Sequence, residues 1–286
     1  MRKSLAAVFM CMLTVFFMPA FVLRALCANT ATLEADSMKY SPSEGVITAS
    51  GNVRFKGPDG EIFGDWGLGA VSDGNFEMRG NVKGFFHNLD GRSLDITCDS
   101  IKLQETANGT DKSKNKTITA SGGVKLSNAG ERLAAETVIW SMGSENYSAS
   151  GNVVGEFETY SLDADKISRN QETFFAENIR NYTDIKRRIT LSAAKAEGVI
   201  NVGEVVELVA DGQVAITMPD SGGAVTKVTG DKGIFSVARG TLVVSGNTTI
   251  TQAGRNLSSE NIVYDLDSGR VDAIGNTVLI FEMQKN

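Results

Sequence analysis

The chain has 286 residues, of which 42% are hydrophobic and 22% charged, a composition that supports a buried core and excludes disorder as the default state. The net charge is −6, with 34 acidic and 28 basic residues, so the overall charge gives no reason to bind nucleic acid. There are 30 glycines and only 4 prolines. This predicts many bends inside regular structure, because proline would interrupt the strand ladders that glycine only loosens.

The first 28 residues have the pattern of a secretory signal peptide. Arg2 and Lys3 precede an apolar run from Leu5 to Leu23, which ends at Arg24 and the small-residue segment 25–28. An uncleaved membrane anchor is the alternative, since the run is long enough for a marginal span. Removal of the leader would leave 25 basic against 34 acidic residues, a net charge of −9.

A short motif then recurs along the rest of the chain. It consists of a small or apolar residue, a variable residue, glycine, most often asparagine, and valine or threonine, as in Ala49–Val53. Three of the intervals between its glycines equal 29 residues, which is typical of a repeat protein. The motif glycines are Gly51, Gly80, Gly122, Gly151, Gly212, Gly246 and Gly275, with a degenerate copy at 176–179.

Each copy alternates apolar and polar residues with a period of two, which predicts a β-strand with one buried face. No stretch beyond the leader shows a comparable helical stripe. We call the apolar positions the predicted lining residues. They are Ile47, Ala49, Val53, Phe55, Val82, Ile118, Val124, Leu126, Val153, Leu208, Val214, Ile216, Val244 and Ile250.

The Gly-Asn pair within the motif allows two interpretations. It could form a tight type II′ hairpin turn. Alternatively, the strand continues through the pair, with glycine permitting a sharp bend and asparagine facing outward. We favour the second interpretation, because the alternating face runs unbroken from Ile47 to Phe55 and a turn already precedes it.

A second motif precedes most copies of the first, as in Leu33–Asp36 before Met38 and Tyr40. Its apolar parity switches by one residue, from Leu33 and Ala35 to Met38 and Tyr40, and such a switch is typical of a β-bulge. Turn residues such as Ser41–Gly45 separate the two motifs. Each repeat is therefore predicted to be a hairpin of two bent strands, stacked into either a closed roll or a V-shaped, partly open fold.

Few residues suggest chemistry beyond packing. His87 is the single histidine, which excludes a His-based triad and a multi-histidine metal site, and we expect no catalytic residue, metal or cofactor. Cys98 is the one cysteine outside the leader and is expected to be a small buried hydrophobe. The polar stretch 104–116 is expected to be a long exposed loop within one continuous repeat domain at 29–286.

The alternation of these two motifs resembles the OstA-like family of lipopolysaccharide-transport periplasmic proteins. The resemblance is carried by Ala35-Asp36, Ala49–Val53, Ala149–Val153 and Ala164-Asp165, and it covers about residues 30–282. It implies an all-β fold in which antiparallel hairpins form an elongated, V-shaped β-jelly roll, called a β-taco. It also implies a periplasmic transport protein that is not an enzyme.

The resemblance further implies what the protein binds. Acyl chains of lipopolysaccharide or a related glycolipid would contact the predicted lining residues, while sugars and phosphates face water. Partners would be further copies joined edge to edge, an inner-membrane export complex and an outer-membrane assembly protein. The first strand, Leu33 to Tyr40, and the last, Thr277 to Phe281, would supply the edges.

Two other functions remain open from the sequence. The chain could be an inner-membrane-anchored subunit of the same export system, similar to its C component, if the leader is retained. It could also be a secreted β-solenoid that binds or cleaves polysaccharide. Such a protein would bind glycans on its outer face and have a fully packed interior.

Overall fold

The computed structural model contains only β-strands as regular secondary structure within its described residues. The predicted leader at 1–28 lies outside these residues. Within them, no helix is long and apolar enough to cross a membrane. The described residues are 32–57, 60–70, 75–87, 93–107, 114–128, 130–142, 146–158, 160–185, 188–201, 204–219, 225–236, 238–252, 254–265 and 268–281.

The strands are mostly long and follow one another at short intervals, as expected for consecutive hairpins. They are β1 (Thr32–Glu34), β2 (Ser37–Ser41), β3 (Val46–Gly57), β4 (Gly60–Ala70), β5 (Asn75–His87), β6 (Ser93–Ala107), β7 (Lys114–Asn128), β8 (Glu131–Met142), β9 (Tyr147–Glu156), β10 (Tyr160–Asn170), β11 (Thr173–Asp184), β12 (Ile189–Asn201), β13 (Glu204–Pro219), β14 (Val225–Ser236), β15 (Thr241–Gln252), β16 (Arg255–Asp265), β17 (Val271–Ile274) and β18 (Val278–Phe281).

The chain divides into two compact units. Among the described residues, the first contains β1 to β9 with residues 168–171, and the second contains residues 160–167 and β11 to β18. In the first unit β1 and β2 both pair with β3, and each later strand pairs antiparallel with the next. The second unit repeats this order from β11, and β17 and β18 both pair with β16. The predicted all-β fold of antiparallel hairpins is confirmed.

The polar stretch 104–116 contains the end of one strand and the beginning of the next. Strand β6 extends into it as far as Ala107, and β7 begins at Lys114. Glu105 pairs with Lys116 across the two strands, in register with the apolar part of the hairpin. The hairpin therefore occupies both ends of the stretch.

The Gly-Asn pair bends a continuous strand, as the second interpretation predicts. Gly51 and Asn52 have φ angles of 76° and 47°, both left-handed, inside β3. Ser50 pairs with Trp66 and Val53 with Gly64, so two residues of β3 oppose Asp65 alone. This arrangement is a β-bulge, which bends and twists the strand without ending it.

The acidic strand beside each bulge shows the predicted switch of parity. In β6 the buried residues are Leu94, Ile96 and Cys98, and then Ile101. The switch of parity is present, but the additional residue of the β-bulge lies on the neighbouring Gly-Asn strand and not on the acidic strand. The acidic residue Asp99 stands opposite the bulge at the point of the switch.

A hydrogen-bonded contact, which we call the carboxylate clasp, closes most bends. Asn52 donates from Nδ2 to Oδ2 of Asp36 over 2.9 Å, and the Asp36 N–H donates to the Gly51 carbonyl over 2.8 Å. The clasp stabilises a left-handed residue by a charge-assisted bond. The same amide–carboxylate bond joins Asn81 to Asp65, Asn178 to Asp165, Asn247 to Asp231 and Asn276 to Glu260.

The clasp also explains the glycine of the motif. A Cβ placed on Gly80 would lie 2.5 Å from Oδ2 of Asp65, closer than any real contact. The left-handed φ of 79° adds a second reason for glycine, since other L-residues are strained there. The acid, the glycine and the asparagine therefore form one structural unit across two strands.

Gly80→Ala should destabilise the first unit more than Gly130→Ala. Each substitution strains a left-handed backbone by about 1–2 kcal/mol. Gly130 has φ 97° and open space around its Cβ position, whereas Gly80 would also displace Asp65 and break the clasp. Urea denaturation followed by tryptophan fluorescence reports on this unit through Trp66 and Trp140. Equal losses in the two variants would contradict this account of the clasp.

Candidate functional site

The inward-facing residues of neighbouring strands line up in register across each unit. In the first unit Ala49, Gly67, Met78, Ile101 and Ala120 follow one another along one such row. Ala49, Met78 and Ala120 are at most 1% exposed. An equivalent row in the second unit contains Ala196, Ala210, Gly233, Val244 and Ile262. Each unit therefore has its own apolar interior.

The predicted lining residues lie on these interior faces. Ile47 and Phe55 are half-buried, and the other twelve are at most 6% exposed. They form the candidate lipid-binding site, nine in the first unit and five in the second. Most of their side chains are covered by other parts of the protein.

The sequence analysis missed interior residues on the acidic strands. The one-residue switch of parity is the signal that locates them, because the apolar face must be counted separately on each side of the acid. Among them are Ile96, Ile101, Val138, Phe235 and Ile262, all at most 3% exposed.

Strand β4 presents an interior face almost without side chains. Gly64, Gly67 and Gly69 pair with the lining positions Val53, Ala49 and Ile47 and so face inward with them. A Cβ on Gly64 would lie 2.5 Å from Cγ of Met78, so larger neighbours fill the space above the glycines. The glycines allow these side chains to reach across the strand.

Two phenylalanines show how the first unit folds over. Phe55 of β3 and Gly84 of β5 pair with the same residue of β4 and are therefore in register. Gly84 lies eight positions after Phe76 on β5. In a flat sheet this spacing corresponds to roughly 26 Å along the strand. The ring centroids are 4.9 Å apart, with the ring planes tilted by 33°. The bulges must therefore fold the sheet so that its two halves face each other.

We name these halves by their segments in β3 and β5. Arm A contains residues 46–50 and 75–79, and arm B contains residues 53–57 and 82–87. The bulges at Gly51 and Gly80 separate the arms. Phe76 belongs to arm A and Phe55 to arm B, so their rings make a contact across the interior.

The degenerate motif copy at 176–179 forms a charged cluster on the outside of the second unit. Asn178 keeps a left-handed φ of 48° and donates to Asp165 over 2.8 Å, although Glu177 replaces the glycine. Arg180 bonds both Asp163 and Asp165. The hydrogen bond from Asn178, and then that from Arg180, lowers the pKa of Asp165 below its ordinary value.

Cys98 is buried as the sequence predicted. It is 6% exposed, and its thiol donates to the Ser100 carbonyl over 3.2 Å. Burial raises the pKa of the thiol to about 11, which keeps it protonated and unreactive at neutral pH.

Comparison with known proteins identifies the family. The family described as LptA/(LptD N-terminal domain) LPS transport protein matches residues 105–270, more than half of the chain. The chain belongs to this family of lipopolysaccharide-transport proteins, which confirms the resemblance at family level. No curated protein matches. Among solved structures, LptH, the LptA-homologous periplasmic component of the lipopolysaccharide transport device of Pseudomonas aeruginosa, matches with 11% identity. The match covers 89% of this chain and 96% of that one, with a TM-score of 0.22.

Asp165→Asn should reduce stability at neutral pH but not in acid. A carboxyl whose pKa is lowered by folding stabilises the fold above its unfolded pKa, and this stabilisation is lost as the pH falls through the folded pKa. Urea denaturation at pH 7 and at pH 3, followed by far-ultraviolet circular dichroism, measures the difference. Glu197→Gln, an exposed change in the same unit, is the control. A loss that is independent of pH would contradict the electrostatic explanation.

Proposed function

We propose that this protein binds lipopolysaccharide in the periplasm and shields its acyl chains during transport between the inner and outer membranes. Membership of the transport family is the observation that carries the proposal. The apolar interior faces of the two units supply the required surface. An inner-membrane-anchored role in the same export system differs only in the retention of residues 1–28.

The physical basis of binding is apolar burial. The chain is acidic overall, at net charge −6, and does not attract an anionic glycolipid through long-range electrostatics. Each buried methylene contributes roughly 0.8 kcal/mol, so one chain of about a dozen carbons gains on the order of 10 kcal/mol. This gain offsets the cost of separating parts of the protein that cover the lining residues.

Directional movement requires an external source of energy in this proposal. The sequence has no phosphate-binding loop of the P-loop type. The inner-membrane export complex would supply that energy, and the outer-membrane assembly protein would accept the lipid. In this proposal the protein itself contributes the apolar interior faces of its two units and no chemical step.

A photo-crosslinking amino acid at Val153 should capture lipopolysaccharide, whereas the same residue at Val154 should not. Val153 is fully buried on the interior face, and its neighbour Val154 is 43% exposed on the outer face of the same strand. Crosslinking in living cells, followed by immunoblotting for lipopolysaccharide, tests the pair. Equal crosslinking at both positions, or none at Val153, would count against interior binding.

The terminal strands are the proposed joints between copies. The predicted first strand, 33–40, is divided into β1 and β2 around Asp36. The predicted last strand, 277–281, contains β18, and β17 precedes it on the other side of Gly275-Asn276. Met38 and Tyr40 are 52% and 59% exposed, and β18 is exposed along its length. Among the described residues each terminal strand pairs on one side only, which leaves an edge for strand addition.

The internal joints predict the register of this association. Where a Gly-Asn strand meets the acidic strand that follows it, the residue before glycine pairs with the residue after the acid. Ser50 with Trp66 and Ser245 with Asn261 are examples from the two units. The described residues begin with an acidic strand and end with a Gly-Asn strand. The same rule therefore pairs Ile274 of one copy with Ser37 of the next.

Cysteines at these two positions should join separate copies. We expect a mixture of Ser37→Cys and Ile274→Cys proteins, both carrying Cys98→Ser, to form a disulfide dimer under mild oxidation. Lys39 lies on the same outward face of β2, two residues after Ser37. The Lys39→Cys protein should therefore crosslink poorly with Ile274→Cys. Non-reducing electrophoresis measures the yield. Equal yields from both mixtures would contradict the predicted register.

A further inference from the structure

The rings of Phe55 in arm B and Phe76 in arm A contact each other and so join the two arms. Both residues are half-buried, in contrast to the nearly inaccessible lining residues behind them. Their rings lie 4.9 Å apart, although their backbones are far apart along the sheet. The two rings therefore lie where the interior is partly accessible to solvent, and their contact covers it there.

The strand between them gives these rings room to move. Gly69 of β4 lies between Ile47 and Phe76 in the ladder, and a Cβ there would be 3.8 Å from Cδ2 of Phe76, in ordinary contact. A larger side chain at Gly69 would extend further into the interior beside this ring. With glycine there, residue 69 places no side chain against the Phe76 ring.

We propose that Phe55 and Phe76 form an aromatic gate that controls the entry of acyl chains into the first unit. When the rings part, arms A and B separate and expose the lining residues. When the rings meet, the arms stay together and the lining residues are covered. This inference rests on the proposed binding of acyl chains. It adds that Phe55 and Phe76 regulate the entry of those chains.

The chain offers a matched control for the gate. Phe63 and Phe85 form a second ring pair on neighbouring strands, with centroids 6.1 Å apart in an edge-to-face arrangement. Phe63 is in register with Arg54 and Lys83 on the outer face, and Phe85 is 43% exposed. Removing this pair takes away similar aromatic contacts from the same sheet without affecting the interior.

The kinetic test compares Phe55→Ala/Phe76→Ala with Phe63→Ala/Phe85→Ala. Stopped-flow mixing with fluorescently labelled lipopolysaccharide should show faster loading in the inner variant by about two- to tenfold. That factor corresponds to the loss of one aromatic pair from a closed state. The outer variant should load at the wild-type rate. Equal rates in all three proteins would overturn the gate.

A locked protein gives a second test that does not depend on truncated side chains. Phe55→Cys/Phe76→Cys, in a Cys98→Ser background, is joined by a short bismaleimide. The linked protein should fail to load lipopolysaccharide, while the same variant without the linker loads it. Circular dichroism checks that both remain folded. Normal loading of the linked protein would overturn the proposal.

A measurement without lipid tests the gate independently of the proposed function. Val53→Cys, again with Cys98→Ser, places a thiol at a position that is 1% exposed in arm B. Its reaction with a maleimide should accelerate by the same factor when the inner pair is replaced by alanine, and remain unchanged when the outer pair is replaced. If wild-type protein does not load lipopolysaccharide, the proposed function fails, and this rate alone decides whether the gate exists.

Discussion

The hydrogen bond between a strand's carboxylate and the asparagine of the next strand is the constraint on which the fold depends. It holds two left-handed residues in the middle of a long strand and so converts an extended ladder into two arms. The acid leaves no room for a Cβ on the facing glycine. Because the arms face each other only when bent, the apolar interior depends on these bends, most of which this polar contact closes.

The interior of the first unit combines tight packing with partly accessible positions, Phe55 and Phe76 among them. Val53 and Met78 are almost completely buried, and they cover a strand whose own inner face is largely glycine. Such packing opposes ligand entry. In the proposed function, acyl chains therefore enter when the arms separate, and the affinity is the gain from apolar burial less the cost of separating the arms.

Local pattern was sufficient for much of the fold. The period of two identified the strands, the uninterrupted alternation placed the Gly-Asn bend inside a strand, and composition alone placed Cys98 in the core. The clasp could not be found in this way, because Asn52 and Asp36 meet through pairing across strands. Phe76 was missed for the same reason, since its contact with Phe55 requires the sheet to fold. The extension of β6 and β7 into a polar stretch was missed because a ladder needs no apolar side chains.

The alternation of acidic and glycine-bearing strands has a consequence for how such chains can change in length. A hairpin that starts with one type of strand and finishes with the other can be added or deleted as a whole, and both ends of the molecule then stay chemically the same. A duplication within the gene would lengthen the protein by one step while keeping its termini compatible with the same neighbours. Removal of a single strand would instead bring two strands of the same type together, and the bend at that point would lose its partner.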